Sequence, residues 1–238
     1  MTDRPIIFSG PMIRALLDGR KTQTRRVLKP WRGMQAEWLT MKLLHSAPTC
    51  YVAEVGGRLG VQMQHPHAGT TQHYGDVDEM SPLTWVRLPY QIGDRLWVRE
   101  AHYLTDDGEN EYAVFAAEKQ DVEEHLANMQ TTMASHPNID WSKHLRLRPP
   151  IHMPRWASRL TLTVTDVRVQ RLQDISAEDC AAEGIKISDG ALLRDGYMLA
   201  NRKDFRHLWN SLHGPDAWDR NDWVAAYTFT VEQRNIDA

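Results

Sequence analysis

The stretch "LTLTVTDVRVQRLQDISAEDCAAEG", residues 160–184, joins the strongest strand signal in the chain to a short helix signal. Apolar and polar residues alternate over 160–172, which is typical of a half-buried strand. The alternation changes register near Thr165 and Asp166, which predicts a bulge. Ser176, with Asp179 three residues on, resembles a capping box, and Gly184 is suited to end the helix after about two turns. The stretch therefore predicts a strand that leads into a helix.

Other stretches on both sides of this unit predict further strands and helices. The stretch "IGDRLWVRE" (92–100) predicts a turn and an alternating strand, with "EYAVFAA" (111–117) as its neighbour. The stretch "YVAEVGGRLGVQMQ" (51–64) predicts a hairpin. Helices are predicted for "EKQDVEEHLANMQTTMASH" (118–136) and for "DFRHLWNSLHG" (204–214). The stretch "WVAAYTFTV" (223–231) predicts a closing strand. Strands among a few helices, with no regular βαβ repeat, predict an α+β fold built as a mixed β-barrel with peripheral helices.

Composition excludes several classes of protein. The chain has 238 residues, 42% hydrophobic and 25% charged, which indicates a soluble globular protein. A net charge of -3 argues against a protein that coats long duplex DNA, but it allows a small local basic site. Cys50 and Cys180 lie far apart, so neither a disulfide framework nor a thiolate zinc site is predicted. With no signal peptide and no membrane-length apolar stretch, we expect a cytoplasmic protein.

The N-terminal segment carries an unusual density of basic residues. A strand is predicted for "PIIF" (5–8) and a helix for "SGPMIRALLDG" (9–19), with Gly19 in the left-handed position that ends it. The next stretch, "DGRKTQTRR" (18–26), contains one Lys, three Arg and two Thr, and it favours extended chain. Such a charge run is either a solvated strand edge or the edge of a functional site.

These residues carry a resemblance to a known family. "GRKTQTRR" (19–26) fits the GxKxxxxR signature of ASCH domains, with Gly19, Lys21 and Arg26 in the three defining places. "GDRLWV", "RLQDIS" and "YTFTVE" follow in the order found in that family. The sequence thus resembles ASCH domains, small β-barrels related to the PUA RNA-binding fold, and is most similar to the long ASCH-type proteins of tailed bacteriophages and prophages.

The resemblance covers residues 5–30, 92–103 and 158–232. It implies one PUA-like domain over residues 1–238, enlarged by insertions at about 30–90 and 105–155, in the cytoplasm of a bacterial host cell. One bacterial branch of the family hydrolyses the acetyl amide of N(4)-acetylcytidine. By resemblance, Lys21 is the catalytic lysine, Thr24 the nucleophile and Glu183 the catalytic glutamate, with no metal or cofactor. Gly19 and Arg26 would contact the substrate, which is a modified nucleoside or RNA.

The chemistry of amide hydrolysis fits these residue types. Such a site needs a nucleophile, a proton acceptor and a group that stabilises the oxyanion. Lys21 acts as a base only where its surroundings lower its pKa, and the neighbouring arginines would do so by like-charge repulsion. On a flat strand Lys21 and Thr24 face opposite sides, so they converge only if the chain turns or bulges. Glu183 could orient Lys21, protonate the leaving amine or hold the cytosine ring.

Further candidates lie outside the signature. Glu100 either lines the barrel opening as a substrate contact or is a strand-end surface residue. In "RLRPPIHMPRWASR" (146–159), Arg155 and Trp156 have the composition that holds a phosphate backbone and stacks a base, although packing of the indole is an equal alternative. Three histidines in "HPHAGTTQHYGD" (65–76) fit no defined metal site and are read as a polar loop; they are His65, His67 and His73.

The sequence-based hypothesis is therefore an amidohydrolase that removes an acyl group from a modified cytidine. Two alternatives remain open. The same cleft could bind a modified nucleoside or RNA without chemistry. It could also cleave RNA, with Lys21 and the arginines stabilising a phosphorane-like transition state.

Overall fold

A computed structural model describes residues 2–28, 49–55, 58–64, 85–106, 110–136, 138, 141–185 and 196–238. The strands in these residues are β1 (Asp3–Ile7), β2 (Gln23–Val27), β3 (Thr49–Val55), β4 (Arg58–Gln64), β5 (Trp85–Arg87), β6 (Arg95–Arg99), β7 (His102–Asp106), β8 (Glu111–Phe115), β9 (Thr161–Arg171) and β10 (Trp223–Glu232). The α-helices are α1 (Gly10–Leu17), α2 (Lys119–Ser135), α3 (Ser142–Leu145), α4 (Ala177–Ala182) and α5 (Gly196–His213). No described helix is long and apolar enough to cross a membrane.

A mixed five-stranded sheet has the order β1-β6-β9-β10-β2. Strand β1 runs parallel to β6, whereas β6 with β9 and β10 with β2 are antiparallel. Two smaller sheets have the orders β3-β4-β5 and β7-β8. The α+β class is thus confirmed, but the predicted closed barrel is wrong for the described residues. A barrel closes only when its edge strands pair, and β1 and β2 are the two open edges of this sheet.

The chain divides into two compact units. Unit 1 comprises Met1–Thr22, Gly93–Thr163 and Phe229–Ala238, and unit 2 comprises Gln23–Ile92 and Val164–Thr228. In unit 1, α1 buries Ile13 and Leu16, and a buried backbone hydrogen bond joins Val98 N–H to the Leu160 carbonyl at 3.0 Å. Burial of such apolar side chains stabilises each unit in proportion to the area removed from water.

Unit 2 has a core between α4, α5 and the sheet. Its buried members are Leu172, Ile175, Cys180, Phe205, Trp209, Ala217, Trp218 and Val224. The Phe205 ring lies 5.8 Å from Trp209 and 6.1 Å from Trp218, within the range of favourable aromatic contacts. Cys180 is a free thiol whose pKa is raised to about 11 by burial, so it is an inert core residue.

Most of the predicted elements are confirmed. Strand β9 matches the strongest strand signal, and Thr165 and Asp166 are both exposed where the alternation was predicted to change. Strands β3 and β4 form the predicted hairpin. One neighbour assignment is wrong, because β8 pairs with β7 rather than with β6. Both edges of β6 are already occupied, by β1 and by β9.

Candidate active site

The turn before β2 is fixed by the way α1 ends. Gly19 has φ 70° and its N–H donates to the Leu16 carbonyl at 3.0 Å, while the Arg20 N–H donates to the Ala15 carbonyl at 2.9 Å. These two bonds form a Schellman motif, in which a glycine with positive φ closes the helix. The role predicted for Gly19 as a helix terminator is confirmed. The motif also fixes the direction in which the chain leaves α1, and it therefore fixes the backbone position of Lys21.

Lys21 is completely buried in unit 1. Its side chain is 0% exposed, its backbone N–H donates to the Ala15 carbonyl at 2.9 Å, and its Nζ lies 5.5 Å from the centroid of the Phe8 ring. The ring face is a favourable neighbour for an ammonium group. The interpretation of this basic run as a solvated strand edge is therefore wrong at Lys21.

Strand β2 pairs regularly with β10 over its whole length. Thr24 lies opposite Tyr227, and Arg25 lies opposite Ala226. Because neighbouring side chains on a strand point to opposite faces, Thr24 and Tyr227 share one face, which we call the hydroxyl face of β2. Thr24 is 2% exposed, and burial raises the pKa of the Tyr227 hydroxyl, so the phenol remains protonated.

The opposite face of β2 carries Gln23 and Arg25 and contacts α4; we call it the carboxylate face. Arg25 donates to Gln23 Oε1 at 2.6 Å, to Glu183 Oε1 at 3.0 Å and to Asp179 Oδ2 at 2.7 Å. The Arg25 side chain is 0% exposed, and its guanidinium carbon lies 5.9 Å from the Phe205 ring centroid. This guanidinium thus binds two carboxylates of α4 away from water.

Helix α4 presents these carboxylates through its caps. The Ser176 hydroxyl accepts a hydrogen bond from the Asp179 N–H at 3.1 Å, as the capping pattern predicted, and Gly184 follows the helix with φ 90°. Glu183 is the C-cap residue and is 4% exposed. Burial acts to raise the pKa of Asp179, but hydrogen bonding from Arg168 and the charge of Arg25 outweigh it and hold that pKa below its usual value.

Searches of family models, curated proteins and solved structures return no match to this chain. The resemblance of the sequence to ASCH domains therefore remains a prediction. What the residues can do is inferred from their own geometry.

The structure brings together only some of the residues that the sequence predicted. In unit 2 the Glu183 carboxylate accepts a hydrogen bond from Arg25. Thr24 lies on the opposite face of β2, the strand that carries Arg25. Arg26 lies opposite Ala225 on the hydroxyl face and is half-buried. Arg26 therefore remains a candidate substrate contact beside Thr24.

Glu100 is a buried member of an ion-pair cluster in unit 1. It is 2% exposed and accepts from Arg159 Nε at 2.9 Å and from Arg159 Nη2 at 3.1 Å. Arg159 also binds Glu118, and its guanidinium carbon lies 3.9 Å from the centroid of the Phe115 ring. Burial raises the pKa of Glu100 although Arg159 acts in the opposite direction. The bidentate geometry gives Glu100 an internal partner, and its contact with a substrate stays a prediction.

Arg155 is likewise committed to carboxylates in unit 1. Its guanidinium lies 2.6 Å from Asp3 and 2.5 Å from Asp237, and both partners raise its pKa. A guanidinium held between two carboxylates is poorly placed to bind a phosphate. Trp156 is 47% exposed, so its ring retains the open surface that base stacking needs.

Sequence reasoning missed the role of Arg25 and the position of Tyr227. Arg25 was read only as a neighbour of Lys21, yet a charged side chain in the interior of a strand is a signal of an internal partner. Among the described residues, no group of three His, Cys, Asp or Glu side chains is arranged to hold a metal ion. His65, His67 and His73 lie outside the described residues.

Proposed function

We propose that this protein is a hydrolase that removes an acyl group from the exocyclic amine of a modified cytidine such as N(4)-acetylcytidine. Thr24 is the nucleophile and Lys21, three residues earlier in the chain, is its base. The resemblance to ASCH domains suggests this activity, and the burial of both residues supports it.

The burial of Lys21 carries most of the weight. A solvated strand edge would leave a lysine exposed, so full burial separates Lys21 from the basic residues of the protein surface. Its side chain is 0% exposed. Burial also holds the Lys21 side chain in a fixed position, as a catalytic side chain requires. Thr24, at 2% exposure, is similarly protected from competing water.

The reaction would proceed through an acyl-enzyme. Thr24 Oγ1 attacks the acetyl carbonyl carbon while Lys21 Nζ accepts the hydroxyl proton. The bond between the carbonyl carbon and the exocyclic nitrogen then breaks, and the proton passes to that nitrogen to give cytidine. Water hydrolyses the acetyl ester on Thr24 and releases acetate. Tyr227, opposite Thr24 and protonated, is the side chain we assign as donor to the oxyanion.

Glu183 has a positioning role in this proposal. Its carboxylate binds Arg25, which follows Thr24 directly in β2. The ion pair therefore holds the strand that carries the nucleophile. Arg26, on the same face as Thr24, contacts the substrate.

The test is incubation of the full chain with N(4)-acetylcytidine and chromatography of the products. We expect Thr24→Val and Lys21→Met to abolish cytidine release. Tyr227→Phe should lower kcat by about 100-fold, as loss of one oxyanion donor does. Arg168→Gln is the matched control, because it removes only an exposed partner of Asp179, and it should retain full activity. Full activity in Thr24→Val, or unchanged nucleoside at high enzyme concentration, rejects the proposal.

A second candidate is a non-catalytic reader of the same modified nucleoside. The register of β2 favours it, because Glu183 is bound on the face opposite to Thr24 and does not share a face with the proposed nucleophile. Equilibrium dialysis distinguishes the two. A reader retains N(4)-acetylcytidine unchanged, and Thr24→Val leaves that retention intact.

A further inference from the structure

A basic pocket lies in unit 1, outside the candidate active site. It has a volume of about 640 Å³ and is lined by Ser142, Arg146, Arg148, Pro149 and His152. Two guanidinium groups and an imidazole thus face one concave surface with no lining carboxylate among the described residues. The same basic segment of the sequence contains Arg155, which is paired with Asp3 and Asp237 and does not line this pocket.

The backbone holds the two arginines in fixed positions. Arg146 has an extended backbone, with ψ 112°, and its side chain lines the same pocket as that of Arg148, two residues further along the chain. Arg148 is held by two backbone hydrogen bonds to His102, one in each direction, at 2.8 and 3.2 Å. His152 follows a pair of prolines and its N–H donates to the Pro149 carbonyl at 3.0 Å. Such a rigid display reduces the entropy that a ligand must overcome.

These arginines differ from most others in the described residues because no carboxylate neutralises them. Arg25, Arg155 and Arg159 each bind two carboxylates, whereas no described Asp or Glu pairs with Arg146 or Arg148. The Arg148 Nε is also buried without a hydrogen-bond partner in the described structure. A buried donor without an acceptor costs free energy, which an incoming anion recovers.

Further basic side chains lie close to this pocket. Burial lowers the pKa of His102, and the charges of Arg148, Arg99 and His152 lower it further. Arg99 binds the Ile151 carbonyl and stacks 5.1 Å from the Trp97 ring centroid, so its charge also has no carboxylate partner among the described residues.

We propose that this pocket binds a phosphate group through Arg146, Arg148 and His152. Two guanidinium forks match the oxygen geometry of phosphate, and an additional imidazole suits a group that carries up to two negative charges. The phosphate is supplied either by a free phosphate or nucleotide, or by the backbone of single-stranded RNA. The proposal does not depend on the amidohydrolase activity.

The experiment measures binding of three probes to the full chain: inorganic phosphate, uridine monophosphate and fluorescein-labelled octauridylate. The test variant is Arg146→Gln with Arg148→Gln. The control is Arg206→Gln with Arg220→Gln, which removes the same charge from two arginines that are half-exposed and paired with Asp219 and Asp222. Circular dichroism checks that both doubly substituted proteins remain folded.

We expect the test variant to bind phosphate about tenfold or more weakly, and the control to bind like the unsubstituted chain. If RNA is the source, the slope of log affinity against log salt for octauridylate should fall in magnitude by about 0.7, as for the loss of one phosphate contact from a single strand. Binding of phosphate and nucleotide alone assigns the free-phosphate source. Equal losses in the two double variants, equal binding of succinate, or no binding of any probe would overturn the proposal.

Discussion

Replacement of Arg25 by methionine should strongly destabilise the protein. The substitution keeps an unbranched side chain but removes the guanidinium that binds Glu183 at 3.0 Å and Asp179 at 2.7 Å. Breaking a buried ion pair from one side costs about 3–5 kcal/mol, because a desolvated carboxylate loses its partner. At a urea m-value of about 2–3 kcal/mol/M, the unfolding midpoint should fall by roughly 1–2.5 M.

The matched control is Arg168→Met. Arg168 binds the same carboxyl group of Asp179 at 2.9 Å, but its side chain is 45% exposed. Solvent screens such a pair, so its loss should cost less than about 1 kcal/mol. Urea unfolding followed by tryptophan fluorescence measures both variants, since Trp209 and Trp218 are buried in the core of unit 2. Equal midpoint shifts for Arg25→Met and Arg168→Met would refute the reasoning.

The destabilisation should also depend on pH. The pKa of Asp179 is depressed in the folded state, so its contribution to stability is present above its unfolded pKa near 4 and is lost as the pH falls through the folded pKa. Arg25 supplies part of that depression. The difference between Arg25→Met and the unsubstituted chain should therefore shrink as the pH is lowered from 7 to 3. A difference that stays constant over this range would contradict the ion-pair account.

Three further measurements test separate features. Ser176→Ala removes a helix cap and should lower the free energy of unfolding by about 1 kcal/mol in a urea titration. Gly19→Ala should cost about 1–2 kcal/mol through backbone strain alone, because φ is 70° and an added Cβ meets no atom within 4 Å; an unchanged thermal midpoint would contradict this. Asp3→Asn should destabilise at pH 7 but not below the pKa of Asp3, which Arg95 and Arg155 lower; stability curves that differ equally at all pH values would exclude this linkage.

Local sequence signals predicted the elements that depend on local physics. Strand β9 and the caps of α4 follow from alternation, a capping serine and a terminal glycine, all of which act within a few residues. The same is true of Gly19, whose positive φ was predicted from its position after a helical pattern. These features need no knowledge of distant parts of the chain.

Pairing over long distances could not be predicted in the same way. Strand β8 cannot pair with β6, because β1 and β9 already pair with the two edges of β6. The alternation of apolar and polar residues within a strand does not show which other strands pair with it. Arg155 and Glu100 were selected for their chemical type, but carboxylate or guanidinium partners about 60 to 150 residues away neutralise them. Composition identifies a charged side chain but does not reveal whether its partner is another residue or a ligand.

The most direct test of the central claim is acid quenching of the protein during turnover of N(4)-acetylcytidine, followed by mass spectrometry of its peptides. A threonine nucleophile predicts one acetyl group on the peptide that contains Thr24, and none in Thr24→Val. Cytidine released at the normal rate with that peptide never acetylated, or with the acetyl group on another residue, would contradict the account.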